Sequence, residues 1–355
     1  MSATASCKFP LLDEWKGICD KNKLCEFIDS AISGYAQIAF NDNVFSGILM
    51  IIATWIGSPV QCISALVALV VATACSYVVG IPIGLIRCGL YGFNAALAGL
   101  AVPLVIFPGQ GLSAGMLLTS AIVGIMCVFL TTSLSNFFSA WGVSTLSIPY
   151  CVAVLILAAA SVLVSATEIT RVAPDTIALA TAQAGWTSSE FISAALNGAA
   201  QVIWVEKPIC GVLYIIALLP ASRWDAVNTV VAAVVSTAAA IALGFPKDAI
   251  MIGLYGYNSV LLMKVISRGF LFNARSYTLN VMMAAFTPIA CAAFKVMLAP
   301  LGLNSFLAFP YAFISIFIFM GRDKLGGLTY VPGKYWGVPE TISKDYKDGK
   351  LELGN

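Results

Sequence analysis

Apolar stretches separated by short polar breaks run through most of the chain. In the first half they lie at about 46–57, 60–80, 83–107, 112–133 and 145–165. A helix that crosses the hydrocarbon core of a bilayer needs about 20 apolar residues, and several of these stretches are shorter or are interrupted by glycine and proline. Broken helices at membrane depth are tolerated only where they pack within protein or line a cavity. The pattern therefore predicts membrane-spanning helices combined with short or broken ones.

The apolar pattern contains two blocks of sequence that each occur twice. The stretch Gly89-Leu90-Tyr91-Gly92-Phe93-Asn94 returns in the second half as Gly253-Leu254-Tyr255-Gly256-Tyr257-Asn258, and the separation of Gly89 from Gly253 defines a repeat distance. The stretch Gln37-Ile38-Ala39-Phe40 returns at the same repeat distance as Gln201-Val202-Ile203-Trp204. One spacing that holds for both blocks indicates a tandem duplication. In an apolar chain, a duplication predicts a membrane fold whose site lies at the interface of the repeats.

The duplication and the polar segments divide the chain into five parts. These are a polar N-terminal lead-in (1–33), a first transmembrane repeat (34–165), an inter-repeat linker (166–190), a second transmembrane repeat (191–321) and a polar C-terminal tail (322–355). The apolar length suits about ten spans, five in each repeat. Because five is odd, the second repeat should be inverted relative to the first. We therefore predict an all-α polytopic membrane protein, built from two inverted five-helix repeats with short tilted or broken helices that line a pore.

Composition and charge fit this class of protein. The 355 residues are 60% hydrophobic and 10% charged, with a mean hydropathy of +0.92, whereas soluble domains carry about 25% charged residues. An even number of spans places both termini on one side, and their lysines and arginines make that side cytoplasmic. We expect a multi-pass protein of the cell (inner or plasma) membrane, surrounded by lipid, with both termini in the cytoplasm. The net charge of +2 gives no reason to expect a nucleic-acid partner.

Residue types that enzymes and metal sites commonly use are scarce in the sequence. The chain has no histidine, and its ten cysteines form no CxxC pair. We expect no metal, no cofactor and no catalytic residues, since no nucleophile–base pair can be recognised. No acidic residue lies in the middle of an apolar run, although proton relays and ion-coupled carriers usually need one, so passive passage is the simpler expectation. Lys295 is either a functional cation within a span or a side chain that reaches outward from a helix end.

Gln37 and Gln201 are the first candidates for contact with a solute. A glutamine offers both a carbonyl acceptor and an NH₂ donor, which suits a neutral solute that carries both kinds of group. The alternative is that each glutamine only joins neighbouring helices, a common use of glutamine in membranes. The matched positions in the two repeats make solute binding a serious hypothesis, and both interpretations remain open.

Aromatic side chains follow at matched positions. Phe40 and Trp204 come three residues after the glutamines and would share a helix face with them, while Phe93 and Tyr257 belong to the glycine-rich block. Together they could form a slot that admits only a flat molecule, or they could be ordinary core or interfacial aromatics. We expect Asn94 and Asn258 to hold broken backbone together rather than to contact solute.

Asp42 and Glu206 form a further pair at the repeat distance. They could be acids at the two mouths of a pore, or solvated charges at helix ends.

The repeated blocks make the chain similar to the urea transporter family, including bacterial-type urea channels. The resemblance covers about residues 34–320 and rests on the Gln-x-x-aromatic and Leu-Tyr-Gly-aromatic-Asn blocks, each present twice. It implies a homotrimer with one continuous pore in each subunit and channel-like passage of urea. It also implies that Gln37 and Gln201 bind polar groups of the solute, and that the aromatic pairs form the slot. Leu97 and Leu261 would pack beside that slot.

A family signature, Leu-Pro-x-x-Thr-x-Pro-Phe, matches only loosely near Pro149 and Pro310. Its central threonine corresponds to Ser147, which keeps a hydroxyl, and to Ala308, which lacks one. We therefore predict channel-like transport of urea or a close amide-like solute. The alternatives are a small organic cation such as guanidinium or a short amine, which acids and aromatic faces would attract, and an ion-coupled transporter.

Overall fold

The two halves of the chain fold into the same series of helices. The computed structural model describes residues 10–164, 185–301, 305–351 and 353, so the first nine residues, most of the predicted linker and the last residues of the tail lie outside the description. The first half contains α1 (Pro10–Cys19), α2 (Lys23–Ala36), α3 (Val44–Gly57), α4 (Pro59–Val78), α5 (Ile83–Arg87), α6 (Phe93–Val105), α7 (Ala114–Ser139) and α8 (Ile148–Val164). The second half contains α9 (Ser188–Ala200), α10 (Pro208–Leu218), α11 (Arg223–Ala242), α12 (Lys247–Met251), α13 (Tyr257–Gly269), α14 (Ala274–Leu298) and α15 (Phe309–Met320). The tail adds α16 (Pro339–Lys347).

Helix boundaries follow the duplication closely. Helices α4, α5 and α6 are matched by α11, α12 and α13, and the first and last residues of each matched pair are separated by the repeat distance. The spacing shortens near the last helices, where Leu146 and Leu307 share a left-handed backbone conformation (φ 50° and 49°) although their separation is slightly less than the repeat distance. The tandem duplication inferred from two sequence blocks therefore extends through the helices of both halves.

Four described helices are long and apolar enough to cross a membrane, namely α4, α7, α11 and α14. Two bent pairs, α2 with α3 and α9 with α10, change direction by 74° and 64° and raise the number of candidate spans to six. Helices α6, α8 and α15 are apolar but shorter. Among the described residues the fold is all-helical apart from one isolated bridge between Phe270 and Tyr330. The count of about ten spans and the inversion of the repeats remain predictions.

Local sequence explains the bend at each broken pair. A 3₁₀ turn that follows α2 or α9 ends at Phe40 or Trp204, both in the left-handed conformation (φ 61° and 60°). In the first half the Asn43 side chain caps α3 by accepting from the N–H groups of Phe45 and Ser46, which satisfies donors at the helix start. In the second half Pro208 occupies the first turn of α10, where its missing N–H costs nothing.

Glycines bring the backbones of the bent helices against the repeated signature. A Cβ on Gly92 would lie 2.7 Å from Cδ1 of Leu69 and 3.1 Å from Cα of Gly34. In the second half a Cβ on Gly256 would lie 2.6 Å from Cα of Gly198. Only glycine permits this approach without displacing backbone, so the two glycine crossings fix α2 against α6 and α9 against α13.

The polar ends of the chain pack against the helical body. Helix α2 runs across residue 33, the predicted end of the lead-in, and its Asp29 is fully buried and accepts a hydrogen bond from Trp15 Nε1 at 2.7 Å. In the tail, Glu340 accepts from Ser222 Oγ at 2.7 Å and from the Trp224 backbone N–H at 3.0 Å. A carboxylate beside free N–H groups at a helix start is stabilising, so α16 caps α11.

Candidate functional site

Gln37 and Gln201 lie where α2 and α9 end. Nε2 of Gln37 donates to the carbonyl of Cys88 at 2.7 Å, and Nε2 of Gln201 donates to the carbonyl of Ile252 at 3.0 Å. Each acceptor immediately precedes the first glycine of the repeated signature. No group in the described ranges donates to Oε1 of either glutamine. In each half the glutamine thus holds the signature in place, and its Oε1 receives no hydrogen bond from the described residues.

Phe40 and Trp204, which end the two turns, each accept a hydrogen bond at the backbone carbonyl from a side chain of the opposite half. Nε2 of Gln61 donates to the Trp204 carbonyl at 3.0 Å, so a side chain of the first half fixes a turn of the second. In the reciprocal contact Nη2 of Arg268 donates to the Phe40 carbonyl at 2.9 Å. Phe40 and Trp204 are both half-buried. Their rings therefore lie on turns that are fixed from the opposite repeat.

Arg268 is itself fixed by a buried acid. Its Nη2 and Nη1 atoms lie 2.6 Å and 3.1 Å from the two carboxylate oxygens of Asp225, and the side chains are only 2% and 1% exposed. Asp225 is the counterpart of Gln61 at the repeat distance. The second half thus uses an ion pair where the first half uses one neutral amide.

Gln61 and Arg268 each make a second contact, with a backbone carbonyl of α6 or α13. Gln61 Nε2 also approaches the Leu100 carbonyl at 3.4 Å, and Arg268 Nη1 donates to the Lys264 carbonyl at 3.0 Å. Sequence reasoning did not identify this arrangement. The available signal was the match of Gln61 to Asp225 at the repeat distance, together with an arginine within an apolar second-half helix.

The asparagines of the signature hold the backbone at the start of α8 and α15. Asn94 donates to the Leu146 carbonyl at 3.4 Å and accepts from the Tyr150 N–H at 3.3 Å. Asn258 donates to the Leu307 carbonyl and accepts from the Tyr311 N–H, each at 3.1 Å. The prediction that these asparagines join broken backbone is confirmed.

The remaining members of the predicted slot are largely buried. Phe93 and Tyr257 are 8% and 6% exposed, and Leu97 and Leu261 are each 4% exposed. The Tyr257 hydroxyl donates to the Leu307 carbonyl at 2.5 Å, and its ring is nearly parallel to that of Phe306 with the centroids 5.8 Å apart. The ring of Tyr257 is therefore fixed, and its hydroxyl already donates to a backbone carbonyl.

Ser147 and Ala308 differ as the sequence suggested. The Ser147 and Tyr311 hydroxyls share a short hydrogen bond that joins the two halves. The Tyr311 ring in turn meets the Phe40 ring edge to face at 6.4 Å. Ala308 is 1% exposed and brings no hydroxyl. The structure thus places Phe40, Tyr311 and Ser147 in one connected group.

The two acids at the predicted mouths differ in their surroundings. Glu206 is exposed, and its Oε1 accepts from Gln201 Nε2 at 3.3 Å, so this acid contacts a candidate binding residue. Asp42 is half-buried, and its backbone carbonyl accepts from Ser33 Oγ at 3.2 Å. Lys295 lies exposed in the last turn of α14, as expected for a side chain that reaches outward from a helix end.

Comparisons with known proteins agree with the duplicated signature. The sequence model of the family described as Urea transporter matches residues 28–322. Urea transporter 1 of Ovis aries is 23% identical over 331 residues, which cover 90% of this chain and 84% of the relative. Urea transporter 1 of Rattus norvegicus is 24% identical over 283 residues, which cover 78% and 70%. The chain is therefore a multi-pass membrane protein that belongs to the urea transporter family.

Proposed function

We propose that the protein conducts urea, or a close amide-like solute, down its gradient through a pore in each protomer. The observation that carries the proposal is the pair of glutamines whose NH₂ groups are anchored to backbone while their Oε1 atoms accept nothing from the described residues. Urea carries N–H donors and one carbonyl, so it can donate to these oxygens. The names of the relatives, Urea transporter 1, point to the same solute.

A polar solute that crosses apolar surroundings needs hydrogen-bond acceptors along its path. Moving an amide-like group from water into apolar surroundings without a hydrogen bond costs about 2–7 kcal/mol. Matched acceptors at Gln37 and Gln201 reduce that cost at two points of the pathway. The rings of Phe40, Trp204, Phe93 and Tyr257, with Leu97 and Leu261 beside them, would admit a flat molecule and exclude bulkier ones.

The arrangement of the whole protein is part of the proposal. We propose a homotrimer in lipid, ten spans in two inverted repeats, and both termini in the cytoplasm. The broken helices α2–α3 and α9–α10 support a pore between the halves, because irregular backbone at membrane depth needs a cavity or protein packing.

Removal of either glutamine carbonyl tests the proposal. In proteoliposomes, Gln37→Ala and Gln201→Ala should each lower urea flux at least several-fold, because an unmade buried hydrogen bond costs about 1–3 kcal/mol. The matched control is Gln110→Ala, since Gln110 is exposed in the loop between α6 and α7. Normal flux through both site variants, with the protein folded, would leave the glutamines with only their backbone contacts and overturn the proposal.

A small organic cation is the second candidate, and the exposed carboxylate of Glu206 beside Gln201 favours it. Under that hypothesis Glu206→Gln lowers guanidinium flux and leaves urea flux unchanged. Under the urea hypothesis wild-type protein passes urea and little guanidinium. A third candidate, an ion-coupled transporter, requires uptake to depend on a proton or sodium gradient, which the same vesicles can measure.

A further inference from the structure

A group of buried polar side chains lies next to the Phe40 turn, and only its Arg268–Asp225 pair is needed to hold that turn. The group consists of Tyr214 on α10, Asp225 on α11, and Lys264 and Arg268 on α13. Each of the four is at most 2% exposed. Burial of this many polar groups is costly unless each has a partner, so their partners decide what the group can do.

The charges in this group do not cancel. Arg268 and Asp225 neutralise each other through two short contacts. A protonated Lys264 adds a second positive charge, and Asp225 and Arg268 are the charged side chains that interact with it. In the part of the chain that the structure describes, Lys264 Nζ has no hydrogen-bond partner and lies 5.5 Å from the centre of the Tyr214 ring. With Lys264 protonated, these four side chains carry one net positive charge, and no further carboxylate among the described residues pairs with them.

Each unmatched hydrogen-bonding atom of these four side chains can donate a hydrogen bond. Within the described residues the atoms without a partner are Lys264 Nζ, Arg268 Nε and the Tyr214 hydroxyl. Lys264 and Arg268 are one turn apart on the same face of α13. Tyr214 is close enough to interact electrostatically with Asp225 and Arg268. Several buried donors around one uncompensated positive charge are complementary to an anion.

The first half shows that the fold does not require this cluster. At the repeat distance, Lys264 corresponds to Leu100, Arg268 to Leu104 and Tyr214 to Met50. These counterparts are apolar, and Gln61 donates to the Trp204 carbonyl as a neutral amide. The Arg268–Asp225 ion pair of the second half would suffice to fix the Phe40 turn. Lys264 and the Tyr214 hydroxyl are therefore additions that this contact does not explain.

We propose that Tyr214, Lys264 and Arg268 bind one small monovalent anion, of the chemical class of chloride, between α10, α11 and α13. A monovalent anion cancels the net positive charge and accepts hydrogen bonds from several donors. A water molecule could satisfy the donors but would leave the charge, and it is the main rival. The complete burial of Lys264 and Tyr214 limits the ligand to a small ion.

Thermal unfolding of the purified protein in detergent tests the site. At constant ionic strength, replacing gluconate with chloride should raise the Tm of the wild type in a saturable way, because a ligand of the folded state stabilises it by mass action. Lys264→Leu, which installs the first-half residue, should abolish the rise, and Tyr214→Met should weaken it. Lys295→Leu removes an exposed lysine and should keep the full rise. Equal Tm values in the two salts, or an undiminished rise in Lys264→Leu, would overturn the proposal.

A direct binding measurement keeps the test decisive even if a variant does not fold. Equilibrium dialysis of wild-type protein with radioactive chloride should give a saturable stoichiometry that approaches one chloride per chain. Binding no greater than that of detergent alone would mean that water occupies the site. Because the readouts are binding and stability, failure here leaves the proposed passage of urea untouched.

Discussion

Gln37 and Gln201 each use the NH₂ group of their amide on a backbone carbonyl, so the position of the opposite oxygen is set before a solute arrives. A side chain that is already ordered loses less conformational freedom on binding than a free one. The two interpretations of these glutamines, as links between segments and as solute ligands, therefore do not exclude each other. The first is observed, and the second is the proposal.

The difference between Ser147 and Ala308 in the candidate pathway leads to a prediction for two variants. Ser147 supplies the only hydroxyl of the pair, because Ala308 occupies the matched position. Ser147→Ala should lower urea flux by roughly tenfold, since the loss of a hydrogen-bonding partner costs about 1–3 kcal/mol. Ala308→Thr should raise urea flux relative to guanidinium, because it adds a hydroxyl to the second half. Vesicle flux of both solutes measures each effect.

Tyr311→Phe is the control for this pair. It removes the partner of the Ser147 hydroxyl but leaves Ser147 itself in place. If Ser147 acts on the solute, Tyr311→Phe should preserve more urea flux than Ser147→Ala. An unchanged ratio of urea to guanidinium in folded Ala308→Thr would instead assign Ala308 to packing beside the Pro310 bend.

The two crossings between a bent helix and the helix of the repeated signature depend on glycine. The backbone of Gly34 lies so near Gly92 that a methyl group on Gly92 would be 3.1 Å from its Cα and 2.7 Å from the Leu69 side chain. Overpacking of a close contact typically costs about 1–3 kcal/mol. The crossing is therefore sensitive to a single added methyl group.

We expect Gly92→Ala to lower the free energy of unfolding by about 1–3 kcal/mol and to reduce urea flux, because α6 must move away from α2. Gly84→Ala is the matched control, since Gly84 lies in the short helix α5 and its Cβ would meet nothing within 4 Å. Thermal unfolding in detergent compares the two. Equal stability of both variants would show that the crossing can relax without cost.

The two halves of the chain contact each other at the candidate binding residues. Gln61 reaches from the first half to Trp204, and Arg268 reaches from the second half to Phe40. Ser147 meets Tyr311 across the same boundary. Since each half completes the turn of the other, a single half would leave buried hydrogen-bonding groups unsatisfied. The candidate site therefore requires the duplicated chain as one unit.

The proposed trimer, with one pore in each protomer, can be tested with mixed subunits. If each protomer carries its own pore, trimers mixed from wild-type chains and Gln37→Ala/Gln201→Ala chains should retain urea flux in proportion to the wild-type fraction. A shared central pathway would instead lose most flux once one defective chain is present. Flux from vesicles with defined mixing ratios distinguishes a linear from a steep dependence.

The duplication, the helical membrane class and the pairs of candidate residues all follow from the amino-acid sequence. Composition excludes a water-facing surface, and the repeat distance aligns Gln37 with Gln201 and Phe40 with Trp204 without any coordinates. The same spacing pairs Asn94 with Asn258, and both make the backbone contacts that were expected of them. These features are local or periodic, so a linear reading of the chain is sufficient to find them.

The way these residues are held depends on contacts between helices that are distant in the sequence. The helical spacing placed Phe40 on the same face as Gln37, but the chain leaves the helix at Phe40 in a left-handed turn that Arg268 stabilises from the other half. The pairing of Arg268 with Asp225, and the position of Lys264 beside them, likewise join α11 and α13. Such contacts depend on which helices pack together. Hydrophobic periodicity records that a face is buried but not which group lies opposite it.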